Sequence, residues 1–347
     1  MVEFKKNFAF FLFVIIYSSL IYGESQIDIF KVQKVFEFPE IIEPRCVAEY
    51  DGKYYITDHS THRIIIVNKE RNKVVGYIGK PGQGAGELFR PTYIFIKNRK
   101  IYVFDYAHEK GRVQIFSTDG KFLGQIPLSF EPWMGFSVNS KGEILLNQPQ
   151  KKSIMSVYDE NGKFIKSIGK LKQVSEIYGN NFSSLNNTYR FAVNRVYLDV
   201  DREDNIYSVF IFAPIIQKYD SNGNLIKEVR IRGKEMEEIV GYFPKTHKPT
   251  GLVKTGIDGV LVYYFIKFAI IEPKSNTLWV LTGKDDYFYI YNLNTLEKID
   301  ELYLDYSLYK GGIFYLSRGD GELFFSTVLK PGLYKLEMAK NKWKGVI

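Results

Sequence analysis

The stretch GKPGQGAGELFRPTYIFI, Gly79–Ile96, decides the fold, because its glycines can be put to two different uses. A phosphate-binding loop needs a Lys-Ser or Lys-Thr pair after its glycines, and a dinucleotide loop needs G-x-G-x-x-G opening a helix. Here Gly82, Gly84 and Gly86 run into Glu87, then into Pro91 and the apolar run Tyr93–Ile96. Proline suits the start of a strand, where a ladder donor is not needed. The glycines therefore read as a seam, at which the chain leaves one β unit and enters the next.

On either side of the seam one strand pattern recurs. GKYYITD (Gly52–Asp58), RKIYVFD (Arg99–Asp105), GEILLNQ (Gly142–Gln148), DNIYSVF (Asp204–Phe210), NTLWVLT (Asn276–Thr282) and GELFFST (Gly321–Thr327) each begin at a polar turn and continue in β-branched, aromatic or aliphatic residues. Such residues suit a pleated, buried surface. Each is followed by a second apolar run, such as RIIIVN (Arg63–Asn68), RVQIFS (Arg112–Ser117) or YFYIYN (Tyr287–Asn292), and then by a turn and a further strand. Asp119-Gly120, Asn161-Gly162 and Asn222-Gly223 carry the two-residue hairpin signature, in which positive φ angles match the twist of the flanking strands.

Alignment on Tyr55, Tyr102, Leu145, Tyr207, Trp279 and Phe324 spaces the units by 47, 43, 62, 72 and 45 residues. A base period near 45 with four strands per unit and no long amphipathic helix predicts an all-β fold, a six-bladed β-propeller of four-stranded antiparallel blades. The blades are expected over about 40–80, 90–127, 132–170, 190–232, 256–304 and 310–347. The ends of the chain meet at one seam, with Ile27–Phe38 either joining the last blade or leading into the first.

The glycine seam with the following RKIYVFDYAHEKGRVQIFSTDGKFLG, and its shorter counterpart GKYYITDHSTHRIIIV, resembles the NHL-type, TolB-like repeat of six-bladed propellers. That resemblance implies the fold and no single activity, because propellers of this type serve as binding platforms, lyases, lactonases and sensors. In its pattern Asp58 with Arg63, and Asp105 with Arg112, are loop-fixing pairs. The histidine-bearing, zinc-dependent lyases of the same family suggest an alternative in which His59, His62 and His108 hold zinc or calcium near the channel, serving a metal-dependent lyase or hydrolase.

Residues 1–25 have a different character. Lys5 and Lys6 precede an apolar run, Phe8–Tyr22, and the small or polar residues Gly23, Glu24 and Ser25 follow, an order that predicts a secretory signal ahead of a propeller over 26–347. The expected compartment is therefore extracytoplasmic, secreted or periplasmic, with no transmembrane segment beyond the signal. Cys46 is the only cysteine, so no intrachain disulfide can form and the core must hold the fold. The formal charge is +8, which supports solubility and, given export, no nucleic-acid partner.

The excess length in the repeat falls in two inserts, 171–189 and 233–255, flanking the fourth blade. Long loops of this kind are uncommon unless functional or disordered. They carry Lys172, Tyr178, Tyr189, Tyr242 and His247, with Arg190 and Arg232 at their roots. Aromatics interleaved with cations suit a peptide, glycan or protein surface through stacking and charge-assisted hydrogen bonds. The sequence thus reads as a monomeric, non-catalytic binding or scaffolding module without a cofactor. No G-x-S-x-G motif marks a nucleophile.

Overall fold

A computed structural model describes residues 31–35, 38–107, 111–128, 135–179, 189–234, 236–237, 254–257, 260–263, 265–283, 287–303, 313–319, 322–327 and 332–337. The expected secretory signal at 1–25, His108, Tyr242 and His247 lie outside these residues.

Strand β1 (Lys31–Val35) comes first. β2 (Pro44–Tyr50), β3 (Lys53–Asp58), β4 (Arg63–Asn68) and β5 (Lys73–Ile78) form one antiparallel sheet in chain order. The same meander recurs as β6 (Ile94–Lys97), β7 (Lys100–Asp105), β8 (Arg112–Ser117) and β9 (Phe122–Pro127). It recurs again as β10 (Phe136–Val138), β11 (Ile144–Asn147), β12 (Met155–Tyr158) and β13 (Phe164–Ile168). The fourth copy is β14 (Val196–Val200), β15 (Ile206–Phe210), β16 (Ile215–Tyr219) and β17 (Leu225–Arg230).

A separate hairpin, β18 (Lys254–Ile257) with β19 (Val260–Tyr263), then intervenes. It delays the next sheet, β20 (Ile266–Glu272), β21 (Thr277–Thr282), β22 (Tyr287–Asn292) and β23 (Lys298–Tyr303), so that sheet starts later than the expected residue 256. The last sheet takes β24 (Ile313–Gly319), β25 (Glu322–Thr327) and β26 (Gly332–Glu337) from the C-terminal end and β1 from the N-terminal end. Lys31 pairs with Glu337 and Val35 with Leu333, antiparallel. The six first strands neighbour one another in the cyclic order β2, β6, β10, β14, β20, β24 and back to β2, which is a closed propeller.

Burial follows from this geometry. The second strand of each blade lies between the faces of two neighbouring blades, so β15 and β21 are buried along their whole length. A strand covered on both faces reads as a continuous apolar run rather than an alternation. The outermost strands are covered on one face only, and β5 alternates between exposed and partly covered residues before its buried end.

The aligned tyrosines staple each blade to the next. Tyr55 donates its hydroxyl to the Thr118 carbonyl at 3.3 Å, Tyr102 to Glu160 Oε1 at 2.7 Å, and Tyr207 to the Leu293 carbonyl at 3.0 Å. Each acceptor sits in or beside the third-to-fourth turn of the following blade. Leu145 and Phe324 offer no such donor, and the Trp279 indole donates within its own strand, to Thr277. Replacing Tyr102 with phenylalanine should cost about 1–3 kcal/mol, the usual worth of a hydrogen bond to a charged group, as read by urea unfolding. A loss below a few tenths would remove the staple from the account.

The three Asp-Gly and Asn-Gly turns differ from the two-residue hairpin the sequence suggests. Only the glycine has positive φ (Gly120 +94°, Gly162 +80°, Gly223 +92°), and its amide donates three residues back, to Ser117, Asp159 and Asp220. That is a type I turn followed by a left-handed glycine, which inserts a bulge. The register shifts at Ile115/Phe116, Val157/Tyr158 and Lys218/Tyr219 are those bulges. The Asp159 carboxylate prefers to accept from Asn161 and Lys163 amides, which holds the first turn residue at ordinary φ.

Candidate functional site

In these meanders the first-to-second and third-to-fourth connections emerge on one face, the turn face. Second-to-third loops and blade-to-blade links emerge on the other, the link face, which carries both inserts.

The glycine seam is an internally closed loop on the link face. Gly82 donates to the Leu88 carbonyl at 3.0 Å, Gly84 to Glu87 Oε2 at 2.9 Å and Gly86 to Gln114 Oε1 at 2.9 Å. The Arg112 guanidinium collects the carbonyls of Gln83 (2.7 Å), Gly84 (3.0 Å) and Glu87 (2.7 Å) and pairs with Asp105 at 2.8 Å. Asp105 is fully buried and also accepts from the Phe89 amide at 2.5 Å and from Gln114 at 3.1 Å. Gly79 has φ +78°, and a Cβ there would lie 2.5 Å from Leu88 Cδ1, so the tight return of the loop requires glycine. These three amides are spent on acceptors of the protein itself, at Leu88, Glu87 and Gln114, rather than held open for a phosphate.

In the equivalent loop of the first blade, Asp58 is fully buried and ties together three backbone amides, those of Ile42, Glu43 and Thr61, each at 2.8 Å. The expected partner Arg63 instead lies over the Tyr77 ring, 5.5 Å from its centroid. His62 Nδ1 accepts from the Arg90 amide at 3.0 Å, and its ring stacks on Phe89 at 5.0 Å. His62 is thus part of the loop's architecture. Among the described residues, no group of three or more His, Cys, Asp or Glu is placed to hold a metal ion.

His59 differs from its neighbours. Its Nδ1 is buried without a hydrogen-bond partner, as is the Thr61 hydroxyl two residues on. Burial first, and then the Arg45 guanidinium, depress the imidazole to about 4, with Glu43 opposing and Arg90 and His62 reinforcing the shift. A histidine depressed in the folded state stabilises the fold above its unfolded value of 6.5 and loses that contribution as pH falls toward about 4. In thermal unfolding the parent should therefore lose stability between pH 6.5 and 4, and His59→Gln should flatten that loss. An unchanged acid limb would assign that loss to other groups.

The insert residues divide into two groups. After a capping box at Gln173 and Glu176, the short helix α1 (Val174–Tyr178) docks Val174 and Ile177 into the core. Lys172 pairs with Glu228 at 2.8 Å, Tyr178 donates to the Phe212 carbonyl at 2.5 Å, and Arg230 donates to the Ile177 carbonyl at 3.2 Å. These contacts fasten the insert to the outer strand and third-strand loop of the fourth blade. Tyr189 packs partly buried against the core, Arg190 lies over Phe191 at 5.9 Å, and Arg232 is exposed. In the second insert, Met236 is buried.

The central channel is not open. Tyr93 ahead of β6 stacks on Phe268 of β20 at 6.4 Å, and Tyr197 of β14 meets the same ring at 4.8 Å. The second and fifth blades stand opposite in the ring, so these aromatics join across the axis and form a floor. Toward the link face, the first and fourth blades open their first strands at buried arginines, Arg45 (7% exposed) and Arg195 (6%). Sequence reasoning missed these two; the signal was an arginine immediately ahead of an inner-strand run, in EPRCVAEY and in NRVYLDV. Cys46 beside Arg45 is buried and free, and burial pushes its thiol up, which keeps it unreactive.

A family model described as a 6-bladed beta-propeller matches residues 37–142. Among solved structures the chain is similar to a Bacteroides fragilis protein described as exported, at 14% identity and TM-score 0.58, covering 92% of this chain and 97% of that one. It is also similar to virginiamycin B lyase from Staphylococcus aureus with quinupristin (13%, TM-score 0.51, 89% and 100% covered). A third neighbour is Kuenenia stuttgartiensis hydrazine synthase (10%, TM-score 0.51, 88% and 99% covered). No curated protein matches the sequence. The chain is an all-β propeller of four-stranded antiparallel blades. Identities this low carry the fold and leave activity open.

Proposed function

We propose that the chain is an exported, non-catalytic binding or scaffolding propeller that holds a protein, peptide or glycan partner on the link face, at the inserts 171–189 and 233–255. The observation that supports this most is how the polar side chains of that face are used. Asp58, Asp105, Arg112 and His62, the groups a propeller enzyme would spend on chemistry, are here bonded to loop backbone. The Lys5–Ser25 pattern and the likeness to a protein described as exported support the compartment.

The test combines two measurements on the purified protein. Replacement of residues 238–253 by a short Gly-Ser link, which leaves the buried Met236 in place, should abolish capture of a partner from the native envelope fraction while the thermal midpoint stays within a few degrees. Elemental analysis should find no stoichiometric metal. Stoichiometric zinc or calcium, or undiminished capture by the deletion variant, would overturn this reading in favour of a metal-dependent lyase or hydrolase or of a site elsewhere.

A further inference from the structure

The link-face mouth of the channel beside the first blade is built more rigidly than a solvent loop requires. Asp58 locks residues 42, 43 and 61 to one carboxylate, and the His59 amide donates to the Glu43 carbonyl at 2.9 Å. Glu43 in turn accepts from Ser60 Oγ at 2.6 Å and from the Arg45 guanidinium. From the neighbouring link, Arg90 reaches the same mouth through its amide bond to His62. Both Arg90 and His62 hold positive φ, +58° and +57°. Non-glycine residues in that region persist only where the surroundings over-determine them, and they cluster at ligand clamps.

Within this frame the acceptors are already used. Both carboxylates, Asp58 and Glu43, are engaged by amides, a hydroxyl and a guanidinium, and His62 Nδ1 accepts from the Arg90 amide. The groups left over can each donate: the buried His59 Nδ1 in its protonated tautomer, the buried Thr61 hydroxyl and, exposed at the rim, the Arg90 side chain. A buried polar atom without a partner in a native fold calls for an explanation, and a ligand that supplies the partner accounts for a pair of them two residues apart in one locked loop. Charged groups facing the ring are Arg45 and Arg90, opposed by Glu43, with His62 alongside. A neutral imidazole that donates, a hydroxyl and guanidinium groups above an aromatic floor are the chemistry that takes an oxyanion through charge-assisted hydrogen bonds.

We propose that the mouth between Arg45, His59, Thr61 and Arg90 is an oxyanion site, which receives a carboxylate or phosphate group of the ligand while the ligand's remainder lies over the Tyr93, Tyr197 and Phe268 floor. This rests on the binding-face reading only for the choice of face.

The chain has four histidines, so their imidazole NMR signals are few, and His59→Gln assigns the relevant one. Inorganic phosphate and acetate, titrated separately, distinguish the two sources of oxyanion. A saturable shift of the His59 signal is expected with at least one of them. Arg90→Gln, at an exposed position that does not threaten folding, should weaken that response at least tenfold, and Thr61→Val several-fold. An unresponsive His59 signal with both probes, or a response unchanged in Arg90→Gln and Thr61→Val, overturns the site. The variant lacking 238–253 separates the two ideas. Retained phosphate or acetate response with lost partner capture supports both, whereas retained capture with a lost response in Arg90→Gln leaves the oxyanion site standing and sinks the insert reading.

Discussion

Asp105→Ala should destabilise the propeller by about 3–5 kcal/mol in equilibrium unfolding, the usual cost of leaving one member of a buried ion pair uncompensated. The mutation removes acceptors for Phe89, Arg112 and Gln114 at once, and it strands a guanidinium that is 5% exposed. Because Arg112 organises the carbonyls of Gln83, Gly84 and Glu87, the seam should also become the first site of limited proteolysis. Asp105→Asn keeps one acceptor and should lose less. A loss below about 1 kcal/mol for the alanine variant, a size ordinary for surface substitutions, would show that the pair does not hold the seam.

The second large effect concerns ring closure. Deletion of residues 27–38 removes β1 and leaves β26 as a bare edge. With a ladder running from Lys31↔Glu337 to Val35↔Leu333 and hydrogen bonds worth about 1 kcal/mol each, the expected loss is about 3–5 kcal/mol. For a domain of this size that corresponds to a fall in thermal midpoint of roughly 4–8 °C, together with concentration-dependent aggregation through the new edge. A midpoint equal to that of the parent would mean that the strand adds nothing to closure.

The propeller was legible because its second strands are buried on both faces, and GKYYITD and RKIYVFD therefore repeat as apolar runs with the same polar start. Closure by β1 was legible only as one of two options. KVQKV carries no apolar run strong enough to distinguish a last-blade strand from a lead-in. The start of the fifth blade was misplaced for a related reason: KTGI and VLVY look like blade strands, and only their pairing with each other shows otherwise. At the link face, Asp105 with Arg112 followed from the resemblance to the repeat pattern, and the register bears the pair out, since both sit at the ends of paired strands, Asp105↔Arg112. Asp58 with Arg63 has the same register, Asp58↔Arg63, yet the carboxylate turns to the amides of residues 42, 43 and 61. The first blade has no preceding glycine seam for an arginine to gather, so register alone did not determine the partner. Arg45 and Arg195 carried only a weak signal, since an arginine ahead of an inner-strand run does not by itself say that it is buried.

The pairing of β1 with β26 also orders events in time. Lys31 is among the first residues of the fold to be made, and its partner Glu337 is among the last. The five earlier blades can zip as local meanders while synthesis continues, but the ring stays an open arc until the final strand appears. Among the described strand pairings closure spans the longest stretch of sequence, and such contacts are slow to form. During that interval two unpaired strand edges are exposed, one at each end of the arc. A chain whose last strand has formed but has not yet met its own β1 is therefore the species most prone to join a second copy, by accepting that copy's β1 on β26.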